Sequence, residues 1–141
     1  MDIIRRNTDY ALRAMLFLAE YAGKGPVSAK MIAIEENISY QLCCKLMQKL
    51  ARAKLVQSCM GVKGGFELAY EPAQVNLLEI VETIQGPLSM NRCLLGKDTC
   101  EKQSTCPVRV KLSEVQGSMV EYLRGTSLKD LIEIKTGSLT S

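Results

Sequence analysis

Histidine is absent from all 141 residues, and that single absence removes most familiar enzyme chemistry. The chain lacks the usual general base and the usual nitrogen ligand for a metal, so Ser-His and Cys-His catalysis are excluded. No paired-carboxylate motif or nucleotide-binding loop takes its place, and the chain does not read as an enzyme. Missing too is any apolar run near the roughly 18 residues that suggest a membrane-spanning helix. Met1 to Arg6 does not read as a secretion signal, so the expected setting is a reducing cytoplasm with no membrane partner. There is no internal repeat or low-complexity tract. Acidic residues are absent from one long stretch: Asn37 to Phe66 holds none, while Lys45, Lys49, Arg52, Lys54 and Lys63 supply five positive charges. The net charge is only +3, so what matters is where the charge sits. An acid-free basic segment is the footprint of a surface that meets a polyanion.

What is present reads as one small domain, 47% hydrophobic, with an added dimerisation element. Helical spacing of Ala11, Ala14, Met15, Leu18 and Ala22 predicts a first helix over 8–22, capped by Asn7 or Thr8 and ended by Gly23. Arg5 and Arg6 form a short basic arm ahead of it. After the Gly25-Pro26 break, Ser28 caps a predicted helix over 29–36, with Met31, Ile32 and Ile34 expected inside. A brief turn leads to Ser39, which caps a longer helix over 40–53 with Leu42, Leu46, Met47 and Leu50 as its apolar stripe. Two helices joined this way match the helix-turn-helix pattern, whose second helix enters a major groove. Its outward face would carry Tyr40, Gln41, Cys44, Lys45, Gln48 and Arg52. Gln pairs with adenine edges, and Lys or Arg with guanine or phosphate. An ordinary helical hairpin with a solvated charged face has the same spacing.

Short strands at 55–58 and 66–69 then flank Cys59-Met60-Gly61-Val62-Lys63-Gly64-Gly65. A glycine-rich hairpin directly after a recognition helix is a wing: Gly64 and Gly65 permit positive φ and let the backbone approach phosphates, and Lys63 adds charge. Asn76 and Glu79 start a helix over 77–85, and Gly86-Pro87 ends it. Pro107 opens a long helix to Arg124 lined on one side by Val108, Leu112, Val115, Met119, Tyr122 and Leu123. Such a helix pairs with its own copy or packs within the chain, and periodicity does not separate these. Gly125-Thr126-Ser127 precedes a short helix over 128–133, and 136–141 reads as a tail. The expected fold is mainly α with a small β-hairpin wing: a winged helix-turn-helix plus a long C-terminal dimerisation helix. The expected division is 1–86 for DNA binding, 87–106 for a cysteine loop, and 107–141 for dimerisation, a short terminal helix and tail.

Cys93, Cys100 and Cys106 stand at C-x6-C-x5-C in a polar stretch between the last two parts. In a reducing compartment such a loop points to metal or redox chemistry, because soft metals and iron–sulfur clusters prefer thiolate. A thiol loop without metal, a disulfide switch and structural zinc stay open at this point. Of the other cysteines, Cys43 reads as core filler, and Cys44 and Cys59 as candidate exposed thiols.

Thr8-Asp9-Tyr10-Ala11-Leu12-Arg13-Ala14, the winged helix-turn-helix, Gly64-Gly65-Phe66-Glu67-Leu68 and the three-cysteine loop occur in a recognisable order. Together they resemble the IscR/NsrR family of bacterial iron–sulfur transcription regulators, over about residues 3–134. The resemblance implies a cytoplasmic homodimeric regulator, most often a repressor, that binds a pseudo-palindromic double-stranded operator. It implies a 2Fe–2S or 4Fe–4S cluster on Cys93, Cys100 and Cys106 that controls operator affinity in response to redox state, nitric oxide or cluster supply. Iron–sulfur assembly proteins would be the donors of that cluster. IscR-like members take a histidine as fourth ligand, which this chain lacks; NsrR-like members take an aspartate of the other subunit's first helix, matching Asp9. Asp98 and Glu101 are nearby substitutes. Ser28, Ser39, Tyr40, Gln41, Cys44, Lys45, Gln48, Arg52, Lys63, Gly64, Arg5 and Arg6 form the implied DNA interface. The chain departs from the family at Met60, where arginine is frequent, at Lys54, where glycine is common, and at Cys44, often a polar base reader. Those departures bear on which operator is read.

Overall fold

A computed structural model of the chain describes residues 2–90, Leu94 and 105–137. Among the described residues, six α-helices and one hairpin follow in the order α1 (Arg6–Glu20), α2 (Ala29–Glu36), α3 (Tyr40–Arg52), β1 (Val56–Cys59), β2 (Gly65–Leu68), α4 (Leu77–Gln85), α5 (Pro107–Arg124) and α6 (Leu128–Gly137). A short 3-10 turn over Pro72–Gln74 sits between β2 and α4. The architecture is a winged helix-turn-helix followed by a long C-terminal helix. None of the helices among the described residues is long and apolar enough to cross a membrane.

One core unites α1, α2, α3, the wing base, α4 and α6, centred on Met15, Ile32, Met47, Leu50, Ile80 and Leu128. The first helix starts two residues before its sequence signals. Arg5 is its N-cap and makes no side-chain cap bond, so neither Asn7 nor Thr8 serves as the cap. Thr8 faces inward instead, fully buried, with its hydroxyl donating to Gln85 Oε1 at 2.7 Å. A tertiary bond takes the group that local capping would have used. The inner face of α2 also differs from expectation. Ile32 is buried with Ala29 and Ala33, while Met31 and Ile34 face outward. The 29/32/33 set lies on one side of a 3.6-residue helix, and its small alanines allow close approach to α3. There the Cys43 thiol donates to the Ala29 carbonyl at 3.4 Å.

β1 and β2 pair antiparallel with Val56 opposite Leu68 and Cys59 opposite Gly65, one residue from the expected strand bounds. After α5 the chain returns to the head. Leu77 donates its N–H to the Thr126 carbonyl at 2.9 Å, and Leu128 donates to that of Val75 at 3.0 Å. The last helix outruns its sequence signals, continuing to Gly137 and taking in Thr136, read from sequence as tail. A reciprocal Ser127–Asp130 capping pair starts it, and Lys135 reaches Glu20 of α1 at 2.9 Å.

Candidate functional site

The helix-turn-helix is set by three local devices. Ser28 Oγ accepts from Met31 N–H and Ser39 Oγ from Leu42 N–H, each at 3.1 Å. Between them Asn37 takes a left-handed conformation at φ 54°, which ends α2 and turns the chain into α3. Cys43, Leu46, Met47 and Leu50 are the buried side of α3. By phase, the opposite side presents Tyr40, Gln41, Lys45, Gln48 and Arg52 to solvent, with Cys44 half-buried at its edge. Cys43 and Cys44 are thus split by one 100° step. Burial pushes the Cys43 thiol up to about 11, so it stays protonated and unreactive. Hydrogen bonding with Cys44 raises the Tyr40 phenol above its ordinary value.

The wing leaves this head through a fixed base. Val27 N–H donates to the Phe66 carbonyl and Phe66 N–H to that of Val27, both at 2.8 Å. Gly65 is required here, since a Cβ would lie 2.3 Å from the Val27 oxygen. Gln57 donates to Glu67 across the strands at 2.7 Å, and the Cys59 thiol lies 3.6 Å from the same carboxylate. Partial burial first, and the Glu67 charge second, push the Cys59 thiol up. Lys63 is exposed at the tip and Gly64 half-buried behind it. Arg5 and Arg6 are exposed where α1 begins.

Asp9 lies exposed in the first turn of α1 and accepts from Arg13 Nη2 at 2.9 Å. Arg13 also stands 5.3 Å from the Tyr10 ring centre. A surface pair of this kind is worth about 0–1 kcal/mol, little enough for the carboxylate to take another partner. Of the cysteine loop, Cys93 and Cys100 lie outside the described residues, as do Asp98 and Glu101. Cys106 is half-buried as the N-cap residue of α5 and makes no side-chain cap bond. The dipole at the N-terminal end of an 18-residue helix favours negative charge there. A thiolate ligand suits that place. Among the described residues no group of three or more Cys, Asp or Glu converges on one point.

Sequence reasoning missed the latch that joins the two ends of the site. Gln85, the last residue of α4, accepts from Thr8 Oγ1 at 2.7 Å and Arg5 N–H at 3.0 Å, and donates to the Ile3 carbonyl at 2.8 Å. The segment carrying Asp9 is therefore tied to the point where the chain departs for the cysteine loop. Thr8, Ala11 and Met15 share one helical face, and that spacing was the available signal for an inward Thr8.

Capped helices at a tight turn, an exposed polar face on the second helix and a braced hairpin define a winged helix-turn-helix DNA-binding regulator. The chain belongs to the Rrf2 family, described as iron-dependent transcriptional regulators, whose pattern it matches over residues 4–134. It is 30% identical over 126 residues to the regulator NsrR of Shouchella clausii, covering 89% of this chain and 85% of that one. Its fold superposes on IscR of T. potens with a TM-score of 0.76 at 28% identity, covering 92% and 85% of the two chains. It is also similar to Staphylococcus aureus CymR in its oxidized form, with a TM-score of 0.75 at 28% identity, covering 94% and 97%.

Proposed function

We propose that this regulator is a cytoplasmic homodimeric repressor whose grip on its operator is set by an iron–sulfur cluster in the 87–106 loop. Cys93, Cys100 and Cys106 would hold the cluster, with Asp9 of the partner subunit as fourth ligand. Bound there, a 2Fe–2S or 4Fe–4S group supplies a centre that oxidation, nitric oxide or iron shortage alters. The protein's part is coupling. Gln85 fixes the start of the loop to Arg5 and Thr8, and Met90 N–H donates to Gln116 Oε1 of α5 at 2.8 Å. Binding would draw three deprotonated thiols and the carboxylate to one point, and loss of the group would release that tie between the two anchors. Through the Gln85 latch that release reaches α1, which packs on α3 in the shared core. Tyr40, Gln41, Cys44, Lys45, Gln48 and Arg52 then read bases or phosphates, supported by Ser28, Ser39, Lys63, Gly64, Arg5 and Arg6. The observation that carries the coupling is the latch, which ties each chain's own α1, and the Asp9 it would offer to the partner's loop, to the start of that chain's own loop. Assembly proteins that deliver clusters are the expected donors.

Anaerobic absorption spectra with iron and sulfide counts test the proposal. Visible bands with stoichiometric iron and sulfide are expected in the native chain, lost in Cys106→Ala and weakened in Asp9→Ala. A colourless protein holding one zinc per chain would instead give a constitutive regulator with a structural site. A metal-free thiol–disulfide switch is the second reading, favoured by the similarity to CymR in its oxidized form. It requires operator affinity that changes with dithiothreitol in protein free of iron.

A further inference from the structure

Two side chains at the wing tip are apolar for no reason that the fold supplies. Met60 and Val62 are 95% and 107% exposed, on either side of Gly61. The turn does not need them. It is closed by Gly64 N–H donating to the Gly61 carbonyl at 3.0 Å, with Gly61 left-handed at φ 107°. A Cβ on Gly64 would lie 2.3 Å from the Cys59 oxygen, so glycine alone fits that bend. Below the tip, the paired Val27–Phe66 bonds brace the hairpin against the residue preceding Ser28. A rigid hairpin therefore holds two apolar groups in water. From the buried Val56 to Cys59 the strand projects about 10 Å, enough to reach past a phosphate strand from the groove that α3 would occupy.

Charge says what the tip meets. Lys63 stands beside Val62, and no acidic residue occurs between Asn37 and Phe66. Two side chains are far too small for a stable protein interface, which needs about 800 Å² per partner. A membrane surface calls for an amphipathic helix, not a four-residue strand. An apolar point set in positive charge instead suits a duplex, with phosphates outside and stacked bases within.

We propose that Met60 and Val62 form a wedge that enters the minor groove beside the sequence read by α3 and partly unstacks one base step. This rests on the wing facing DNA. Proteins that insert such wedges select steps that deform easily, above all pyrimidine–purine steps. The wing then adds specificity through deformability, whereas Lys63 adds affinity through charge.

In vitro selection from a random duplex library, with anaerobically purified full-length chain, is the test. Native protein should enrich TA or CA/TG steps at fixed positions flanking the core site, and Met60→Ser/Val62→Ser should lose that enrichment. On the selected duplex the double variant should bind roughly 10–100-fold more weakly with an unchanged salt slope, while Lys63→Ala lowers the slope by about 1 and keeps the flanking preference. Both side chains pack on nothing, so the fold is unaffected. The same flanks selected at the same affinity by the double variant overturn the wedge and leave DNA reading intact. Failure of the native chain to enrich any duplex overturns the DNA-facing wing, and the wedge with it.

Discussion

Helices α3 and α5 both carry an apolar stripe, yet only one of them buries it. In α3, Cys43, Leu46, Met47 and Leu50 vanish into the head. In the 18 residues of α5 no side chain is buried within the chain. Its Val120 and Leu123 touch the small cluster of Leu78, Val81 and Leu88 beside α4. The rest stands out, with Val108, Val110, Val115 and Tyr122 all at least half exposed. A soluble protein rarely leaves such a patch in water unless something covers it. The difference separates a reading head that buries its apolar face within one chain from a helix whose apolar face stays exposed among the described residues. The proposed dimerisation through α5 would cover that face, and experiments can break the contrast.

The largest effect is expected in the head. Leu50→Ala empties a fully buried position where α3 meets the core. It should cost about 2–5 kcal/mol, seen as a fall in melting temperature that does not depend on protein concentration. On α5 the signature should be different. Val115→Asp/Tyr122→Asp puts two charges on the uncovered face, weakening self-association by roughly 100-fold or more while the head keeps its circular dichroism. In sedimentation the native chain should run as a dimer and this variant as a monomer, and the native melting temperature should rise with concentration. A double variant that stays dimeric would show that α5 is not the interface.

Much of the head was legible because its signals are local. Ser28, Ser39 and Asn76 each bond a backbone N–H three residues on, and capping chemistry needs nothing from the rest of the chain. The outward face of α3 followed from spacing alone. What escaped was fixed at long range. Thr8 turned inward because Gln85, 77 residues away, offers it an acceptor, and α6 ran on toward Gly137 beside Glu20, 115 residues from Lys135. The inner face of α2 was misjudged because bulk drew attention to Met31 and Ile34, whereas close helix packing favoured Ala29 and Ala33. At the cysteine loop, spacing gave only the chemistry proposed above. Only Cys106 lies within the described residues, and its place as N-cap of α5 follows from Pro107, which the sequence already marked as opening that helix.

The latch gives a smaller test on the head's side of the contrast. Thr8→Val keeps the shape but removes the hydroxyl that Gln85 Oε1 accepts from. Loss of this part-buried bond should cost about 1–2 kcal/mol, and Thr8→Ser should retain most of it. Because α1 carries Asp9 one residue on, the Val variant should also loosen the response of operator binding to the state of the loop. Val stability equal to that of the native chain would reduce the latch to an incidental contact.

Smallest, and opposite in sign, is the change at Lys54. This residue is left-handed at φ 64° where α3 gives way to β1, with its N–H donating to the Ala51 carbonyl at 3.0 Å. A residue with a Cβ is strained there by about 1–2 kcal/mol, and glycine is not, though glycine loses more freedom on folding. The net gain for Lys54→Gly should be about 0.5–1 kcal/mol, a rise of roughly 2–4 °C in melting temperature. Lys54→Asn should recover part of it, while Lys54→Ala removes the charge and keeps the strain, so it should gain nothing. That ordering separates backbone relief from charge. The rise should appear equally in the monomeric α5 variant, because the strain belongs to the head and not to the interface. A gain that vanishes on dissociation would mean that the two regions are coupled through the α3–wing turn.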